Sequence, residues 1–465
     1  MTTSNKPGPS HNNQLGSSFR DPAGFIYKSP KGELFRQINP VGFDDFRALT
    51  DSSLYELLVK NRLLVAHNIV EDSSKKATGK IIIKPEMVRY ISYPFEWSFS
   101  QLKDAALATL KIQKLALEHD VTLKDASAYN IQFSKGRPIF IDTLSFESYK
   151  QGEPWQAYRQ FCQHFFAPLA LMAYADLDLS QMLRVYIDGI PLGLTTKLLP
   201  RKARIKPSIY MHIVLHSKAQ KAKASEHKKP TRTIPKRNLL AIITNLEAAI
   251  SKLKPLKSST EWGEYYDNTN YTTSSADAKA KIIRQFIEPL AINSAMDMAG
   301  NNGRYSRVLN KAGIFTICND IDPNAVESNY LYTKAHNEER MLPLLVNLVN
   351  PGGAIGWANN EREVITDRLQ VDLIMALALV HHLAISNNLP FDSIAQYFSQ
   401  FSPYLIIEFV PKTDSQVKKL LSTRRDIFSN YDEQAFKNAF ASRYNLIDEK
   451  IISGSKRTLY LFKRK

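Results

Sequence analysis

The stretch Ser294–Ser306, SAMDMAGNNGRYS, constrains this chain more than any other. An apolar run (Ala295, Met296, Met298) ends in small and polar residues from Ala299 to Gly303. A helical pattern follows at Tyr305, Val308, Leu309 and Ala312. Strand, tight turn and helix in that order open a nucleotide-binding α/β domain. Small residues let the backbone approach a ligand, and the helix N-terminus presents amide donors. Asp297 is the one charge in the strand, at the end where ligands lie in such sheets. A second apolar run, Ile314–Cys318, closes on Asn319-Asp320-Ile321-Asp322-Pro323. An acid at that point, roughly 20 residues past the glycine turn, is placed to accept hydrogen bonds from ribose hydroxyls. The same letters alone also describe an ordinary tight βα turn with no ligand.

Further strands are expected at Leu342–Val346, ending in Asn347, at Val371–Met375 and at Tyr404–Glu408. A terminal hairpin is expected from Tyr444–Ile452 and Arg457–Phe462 around Ser453-Gly454-Ser455. The spacing Asp297-x-Ala299-Gly300-Asn301-x-Gly303 resembles motif I of class I S-adenosylmethionine-dependent methyltransferases. It is closest to the form D-x-G-A-N-x-G, with the Gly-Ala pair reversed here. That resemblance implies an α/β, Rossmann-like, seven-stranded methyltransferase domain over 258–465, with S-adenosylmethionine across the carboxyl ends of the strands. Its cofactor residues would be Asp297, Ala299, Gly300, Asn301, Gly303, Asp320, Ile321, Asp322, Asn347 and, just upstream, Tyr271, with Lys279 a further candidate. Gly300 and Gly303 would admit the methionine moiety to the backbone. Asp320 would hold the ribose, with Asp322 nearby, and the Asn347 amide would meet the adenine edge. His381 and His382 follow the fourth strand, where such enzymes handle the methyl acceptor. Either can take a proton from a hydroxyl or amine, or the pair can simply pack the loop. Methyl transfer of this kind calls for no metal.

A second focus lies upstream. A hairpin is expected over Gly24–Ile38, helical spacing over Asp44–Leu64, short strands at Leu63–Val70 and Lys80–Ile83, and a long helix over Phe99–His119. Then comes Leu123-Lys124-Asp125-Ala126-Ser127-Ala128-Tyr129-Asn130, a hairpin, and Asp142. This D-x-x-x-x-N … D spacing resembles the catalytic loop and metal-binding acid of protein-kinase-like phosphotransferases. The resemblance implies Asp125 as base and Asn130 and Asp142 as magnesium ligands for Mg-ATP. The chain departs from the pattern in having no glycine-rich phosphate loop, no identifiable strand lysine, and Thr143-Leu144 after Asp142. An active phosphotransferase, a degenerate α+β kinase-like scaffold and a simple capped turn all remain open.

Charge matters between these two regions. The whole chain carries a formal +16. Residues 217–237 hold Lys218, Lys221, Lys223, Lys228, Lys229, Arg232, Lys236 and Arg237 against Glu226 alone. This reads as a basic linker, with RNA or an anionic surface as a possible acidic partner. The expected organisation is therefore a polar tail over 1–17, a kinase-like α+β domain over 18–216, a linker and lead-in helix over 217–257, and the methyltransferase domain over 258–465. The longest apolar stretch, Phe165–Ala175, falls short of the ~20 residues a bilayer span needs. Met1–Gly16 has no apolar signal region, and Cys162 and Cys318 make no metal spacing, so a cytoplasmic protein is expected.

The two halves together (KDASAYNIQF, IDTLSF, DMAGNNGRYS, ALALVHHL and EFVPKTDSQV) resemble the NoeA-type family of nodulation-protein-like methyltransferases over nearly the full chain. The family resemblance implies cofactor binding and leaves the methyl acceptor unnamed.

Overall fold

A computed structural model describes residues 14–76, 79–219, 233–256, 273–422 and 425–465. Most of the tail, the middle of the basic segment and the candidate Tyr271 lie outside the described residues. The chain divides into two compact units. The first comprises 1–95, 99–256 and 353–363, and the second 96–98, 257–352 and 364–465.

The first unit opens with strands β1 (Gly24–Lys28), β2 (Leu34–Ile38), β3 (His67–Asp72) and β4 (Ile81–Pro85) in one sheet of order β1-β2-β4-β3. The span expected to be helical before β3 is two helices, Phe43–Thr50 and Leu54–Lys60. The break falls at Asp51-Ser52-Ser53, where short polar side chains compete for backbone; the Ser52 hydroxyl donates to the Leu49 carbonyl at 2.9 Å. Leu63–Leu64, expected to begin β3, precede it, because Val65 N–H and Phe140 N–H exchange bonds with Phe140 and Leu63 carbonyls instead.

The long helix Phe99–Glu118 is buried through most of its length. After it come β5 (Val121–Leu123), the hairpin β6 (Ile131–Ser134) and β7 (Arg137–Phe140), and β8 (Phe146–Ser148), which pairs with β5. The helix Lys236–Lys252, expected to lead into the second unit, belongs to the first. Its apolar stripe Leu239, Ile243, Leu246, Ile250 is buried, and the Lys103 ammonium donates to the Ser251 and Leu253 carbonyls beyond it.

The second unit is built on β9 (Ser294–Met298), β10 (Phe315–Asp320), β11 (Met341–Leu345), β12 (Leu373–Ala376), β13 (Tyr404–Phe409), β14 (Tyr444–Ile451) and β15 (Thr458–Arg464). They form one sheet of order β11-β10-β9-β12-β13-β15-β14. The first five run parallel, and β15 lies antiparallel between β13 and β14. The parallel strands are buried throughout or nearly so, as expected of a sheet covered on both faces. Asp372 sets the start of β9 by accepting from the Asn293 and Ser294 amides and the Ser294 hydroxyl. Strand order reverses between β9 and β12, and a crevice opens at the carboxyl ends of strands where order reverses.

Candidate functional site

A cavity of about 360 Å³ lies at that reversal, inside the second unit. The ends of four parallel strands supply its walls: Asp297 and the turn Ala299–Asn301 after β9, Asp320 and Ile321 after β10, Val346–Val349 after β11, and Leu377–Leu379 after β12. Lys279 from the helix Thr273–Ile287, then Arg304, Tyr305 and His382, complete the polar lining. Of the residues predicted from sequence, Asp297, Ala299, Gly300, Asn301, Asp320, Ile321, Asn347 and His382 meet here. Gly303, Asp322 and His381 are not among the lining residues.

The glycine turn does different work from that expected. Its amides do not point free at a ligand. Ala299 N–H donates to the Asn319 side-chain oxygen at 3.1 Å, Gly300 N–H to the Asn319 carbonyl at 2.8 Å, and Asn301 N–H to the Asp320 carboxylate at 2.8 Å. The following helix, Ser306–Lys311, is short. The turn is thus bound to the end of β10.

Its small residues answer to the protein's own packing. A Cβ at Gly300 would lie 2.6 Å from the Cys318 sulfur and 2.8 Å from an Asp297 oxygen. Gly303 has φ +81°, and a Cβ there would meet the Asn329 amide at 2.7 Å. The reversed pair puts Ala299 in the left-handed region at φ 61°, and Asn301 follows at φ 51°. A non-glycine residue there is strained by the contact of Cβ with its own carbonyl.

The two acids differ. Asp320 is buried, accepts from the Asn301 and Asp322 amides, and is pushed up to about 6, with burial the largest cause. Asp297 is also buried. Its Oδ2 accepts from the Ser306 hydroxyl at 2.6 Å, and Oδ1 has no hydrogen-bond partner among the described residues. Burial pushes its carboxyl up to about 7. Asp322 serves elsewhere, capping the helix Pro323–Ala335 through the Asn324 and Ala325 amides. The Asn347 oxygen accepts from Val349 N–H at 3.0 Å and shapes the turn after β11.

His381 and His382 lie ring to ring at 4.1 Å. His381 is fully buried, so of the pair only His382 faces the cavity. Burial, and then the Arg457 charge, bring His382 down to about 4, so its imidazole is neutral at pH 7.

Behind the lining is a charge network that periodicity did not reveal. The Lys279 ammonium pairs with Glu408 at the end of β13, and Glu408 also accepts from Ala378 N–H at 2.9 Å. Arg457 reaches Glu408 at 3.4 Å and clamps Asp414 at 2.8 and 3.1 Å. The available signal was Glu408 itself, a lone acid in an otherwise apolar strand.

In the first unit, the D-x-x-x-x-N … D residues converge. Asp125 accepts from Ser127 N–H at 2.8 Å; burial, and then the Asp142 charge, raise its carboxyl. The Asn130 amide donates to the Ser145 hydroxyl at 3.0 Å. Asp142 accepts from that same hydroxyl at 2.6 Å, from Leu144 N–H, and from the Arg36 guanidinium on β2. Burial works to raise Asp142, but the Arg36 charge and these hydrogen bonds hold it below its ordinary value.

No protein-family profile matches the chain. The nodulation protein NoeA of Rhizobium meliloti (strain 1021) is 32% identical over 460 residues, covering 97% of this chain and 96% of that protein. Three solved structures show weak similarity. The PH0226 protein from Pyrococcus horikoshii OT3 is 12% identical over 43% of this chain and 99% of its own, with TM-score 0.32. The N-methyltransferase NodS from Bradyrhizobium japonicum WM9 is 10% identical over 41% and 97%, with TM-score 0.31. The bifunctional kinase-methyltransferase WbdD is 15% identical over 47% and 46%, with TM-score 0.31.

Proposed function

The chain belongs to the family of the nodulation protein NoeA, and on that premise we propose that it is an S-adenosylmethionine-dependent methyltransferase of the cytoplasm. The observation that carries the reading is the pair of buried carboxylates, Asp297 and Asp320, on adjacent parallel strands at one cavity where strand order reverses.

The residues fit the cofactor. Asp297 Oδ1, buried and without a partner among the described residues, suits the ammonium of an amino-acid moiety. Asp320, held by two backbone amides, suits ribose hydroxyls, and Ile321 and Asn347 border the base. S-adenosylmethionine, when bound, supplies an electrophilic methyl group on a sulfonium. The side chains then have to hold the acceptor atom in line at about 3–3.5 Å and keep water out. His382, neutral at pH 7, has a lone pair for the acceptor's proton. Because its basicity is low, positioning carries most of the rate. Calorimetric titration of S-adenosylmethionine into the full chain tests the reading. Binding that is lost in Asp320→Ala supports it, and no heat at millimolar cofactor sinks it.

The first unit supports a second reading. The sheet β1–β4, the long helix, the loop of Asp125 and Asn130 and the hairpin ending before Asp142 agree in order with the kinase-like reading, and we read Arg36 on β2, paired with Asp142, as standing in for the strand lysine that the sequence lacks. The residues do not fit magnesium as placed, because the Arg36 guanidinium already pairs with the Asp142 carboxylate and puts a positive charge where the metal would bind. We infer a kinase-like scaffold that recognises the acceptor or a partner and transfers no phosphate. A thermal shift with Mg-ATP, abolished by Asp142→Ala, would restore the phosphotransferase reading.

A further inference from the structure

The first unit carries a surface that the methyl-transfer reading does not use. From Gly189 to Ser225 the sequence contains no acid. Within its described part stand Lys197, Arg201, Lys202, Arg204, Lys206 and Lys218. Residues 207–219 are one continuous helix with a π-helical middle, Tyr210–Leu215. One face is anchored inward: His212 bonds the Tyr158 hydroxyl at 2.7 Å and the Asn245 side chain at 2.8 Å, and Ile213 and Val214 are buried beside it. The opposite face carries Tyr210, Met211 and Leu215, which are 44%, 40% and 49% exposed, with Lys218 a turn further on. The wider turn of a π-helix keeps Met211 and Leu215 on one side. Ile205, 78% exposed, and Leu198 lie on the chain leading in, among the exposed Lys197, Arg201, Lys202 and Lys206. Arg204 is turned back, donating to the Lys197 and Leu199 carbonyls, and the Lys206 ammonium lies over the Tyr174 ring at 5.3 Å, which leaves Lys197, Arg201 and Lys202 as the outward cations.

Exposed aliphatic side chains interspersed with cations, in a stretch without an acid, match the interface of an anionic bilayer: the apolar tips enter the acyl boundary while lysine and arginine pair with head-group phosphates. Single-stranded nucleic acid is held by bases stacked on aromatic rings, and the one aromatic of the face, Tyr210, already lies under the Lys218 ammonium at 6.0 Å. The geometry points to this helix face, with the basic residues before it, as a docking surface for an anionic lipid membrane. The chain would rest on the bilayer without crossing it; among the described residues no helix is long and apolar enough to span one.

Co-sedimentation of the full chain with vesicles tests this. Vesicles of phosphatidylcholine and phosphatidylglycerol at three to one should retain the protein and pure phosphatidylcholine should not. The triple variant Lys197→Glu, Arg201→Glu, Lys202→Glu should weaken retention by about a hundredfold or more, since each cation near an anionic leaflet contributes about a fivefold change. Met211→Asp with Leu215→Asp should also release the protein; both sites are exposed, and an unchanged melting temperature confirms folding. Failure of the wild-type chain to bind the anionic vesicles overturns the proposal. So does retention that depends on the cations but not on Met211 and Leu215. Tighter binding to a polyuridylate strand with the same residue dependence overturns it in favour of RNA.

Discussion

Asp297 takes one hydrogen bond from Ser306, at 2.6 Å, and leaves its other oxygen buried and without a partner among the described residues. A half-satisfied buried carboxylate costs stability unless something charged or donating completes it. Asp297 lines the cavity, and on the methyltransferase reading proposed above the cofactor's ammonium is the partner that completes it.

That arrangement sets a pH dependence. Asp297 and Asp320 keep their protons in the folded chain up to about 7 and about 6, whereas the unfolded chain loses them near 3.8. The folded state therefore binds more protons between those values, and these two groups lower stability as pH rises from about 4 to about 7. Binding of a ligand ammonium needs charged Asp297, so affinity for S-adenosylmethionine should rise with pH, approaching tenfold per unit below about 7, then level off and fall once the ligand's own ammonium deprotonates at about 8. Asp297→Asn should bind weakly, with a shallower profile that keeps only the Asp320 contribution at about 6. Calorimetry from pH 5.5 to 8.5 checks this, and an equally steep profile in the variant would remove Asp297 from that role.

Ala299 stands at φ 61°, where glycine is unstrained. Ala299→Gly should stabilise the second unit by about 1 kcal/mol through relief of that strain, less the extra freedom of the unfolded chain. Thermal unfolding should show a small rise in melting temperature with cofactor affinity retained.

Gly300→Ala should cost about 1–3 kcal/mol, because the added methyl meets Cys318 and Asp297 at distances no real Cβ adopts. If the contact with sulfur dominates, Gly300→Ala with Cys318→Ala should recover part of the loss in denaturant melts. A fully tolerated single variant would show that the turn shifts freely.

Lys279→Met should be strongly destabilising, by about 3 kcal/mol, because it removes one partner of a buried ion pair. Arg457 stays near Glu408 and limits the loss. Lys279→Met with Glu408→Gln should be milder than Lys279→Met alone, and a double-mutant cycle measures the coupling.

Arg36→Met should likewise destabilise the first unit, with Asp142→Asn on the same chain restoring part of the stability. If Arg36→Met instead leaves stability unchanged and creates magnesium-dependent ATP binding, Arg36 is a gate on a working site.

Local pattern carried a large share of this structure. The apolar runs around Ala295, Ile317, Leu344, Ile374 and Ile406 announced five parallel strands, because a strand covered on both faces must be apolar along its length. Ser453-Gly454-Ser455 announced the hairpin that completes the sheet. Acids at the ends of β9 and β10 marked the strand ends that line the cavity, since a buried charge in such strands needs either an opening or, as at Glu408, an ion-pair partner.

Other features exist only once distant residues meet. His381 and His382 are neighbours in sequence, and which of them reaches the cavity depends on the path of the loop after β12. The turn amides looked free because their acceptors, Asn319 and Asp320, come from the next strand. Arg36 meets Asp142 across more than a hundred residues and turns a metal-like pattern into an internal ion pair. Strand and turn formation follow from each residue's own periodicity and backbone preference. Burial, desolvation and charge pairing depend on what the folded chain places alongside, and these decided the roles of the polar side chains.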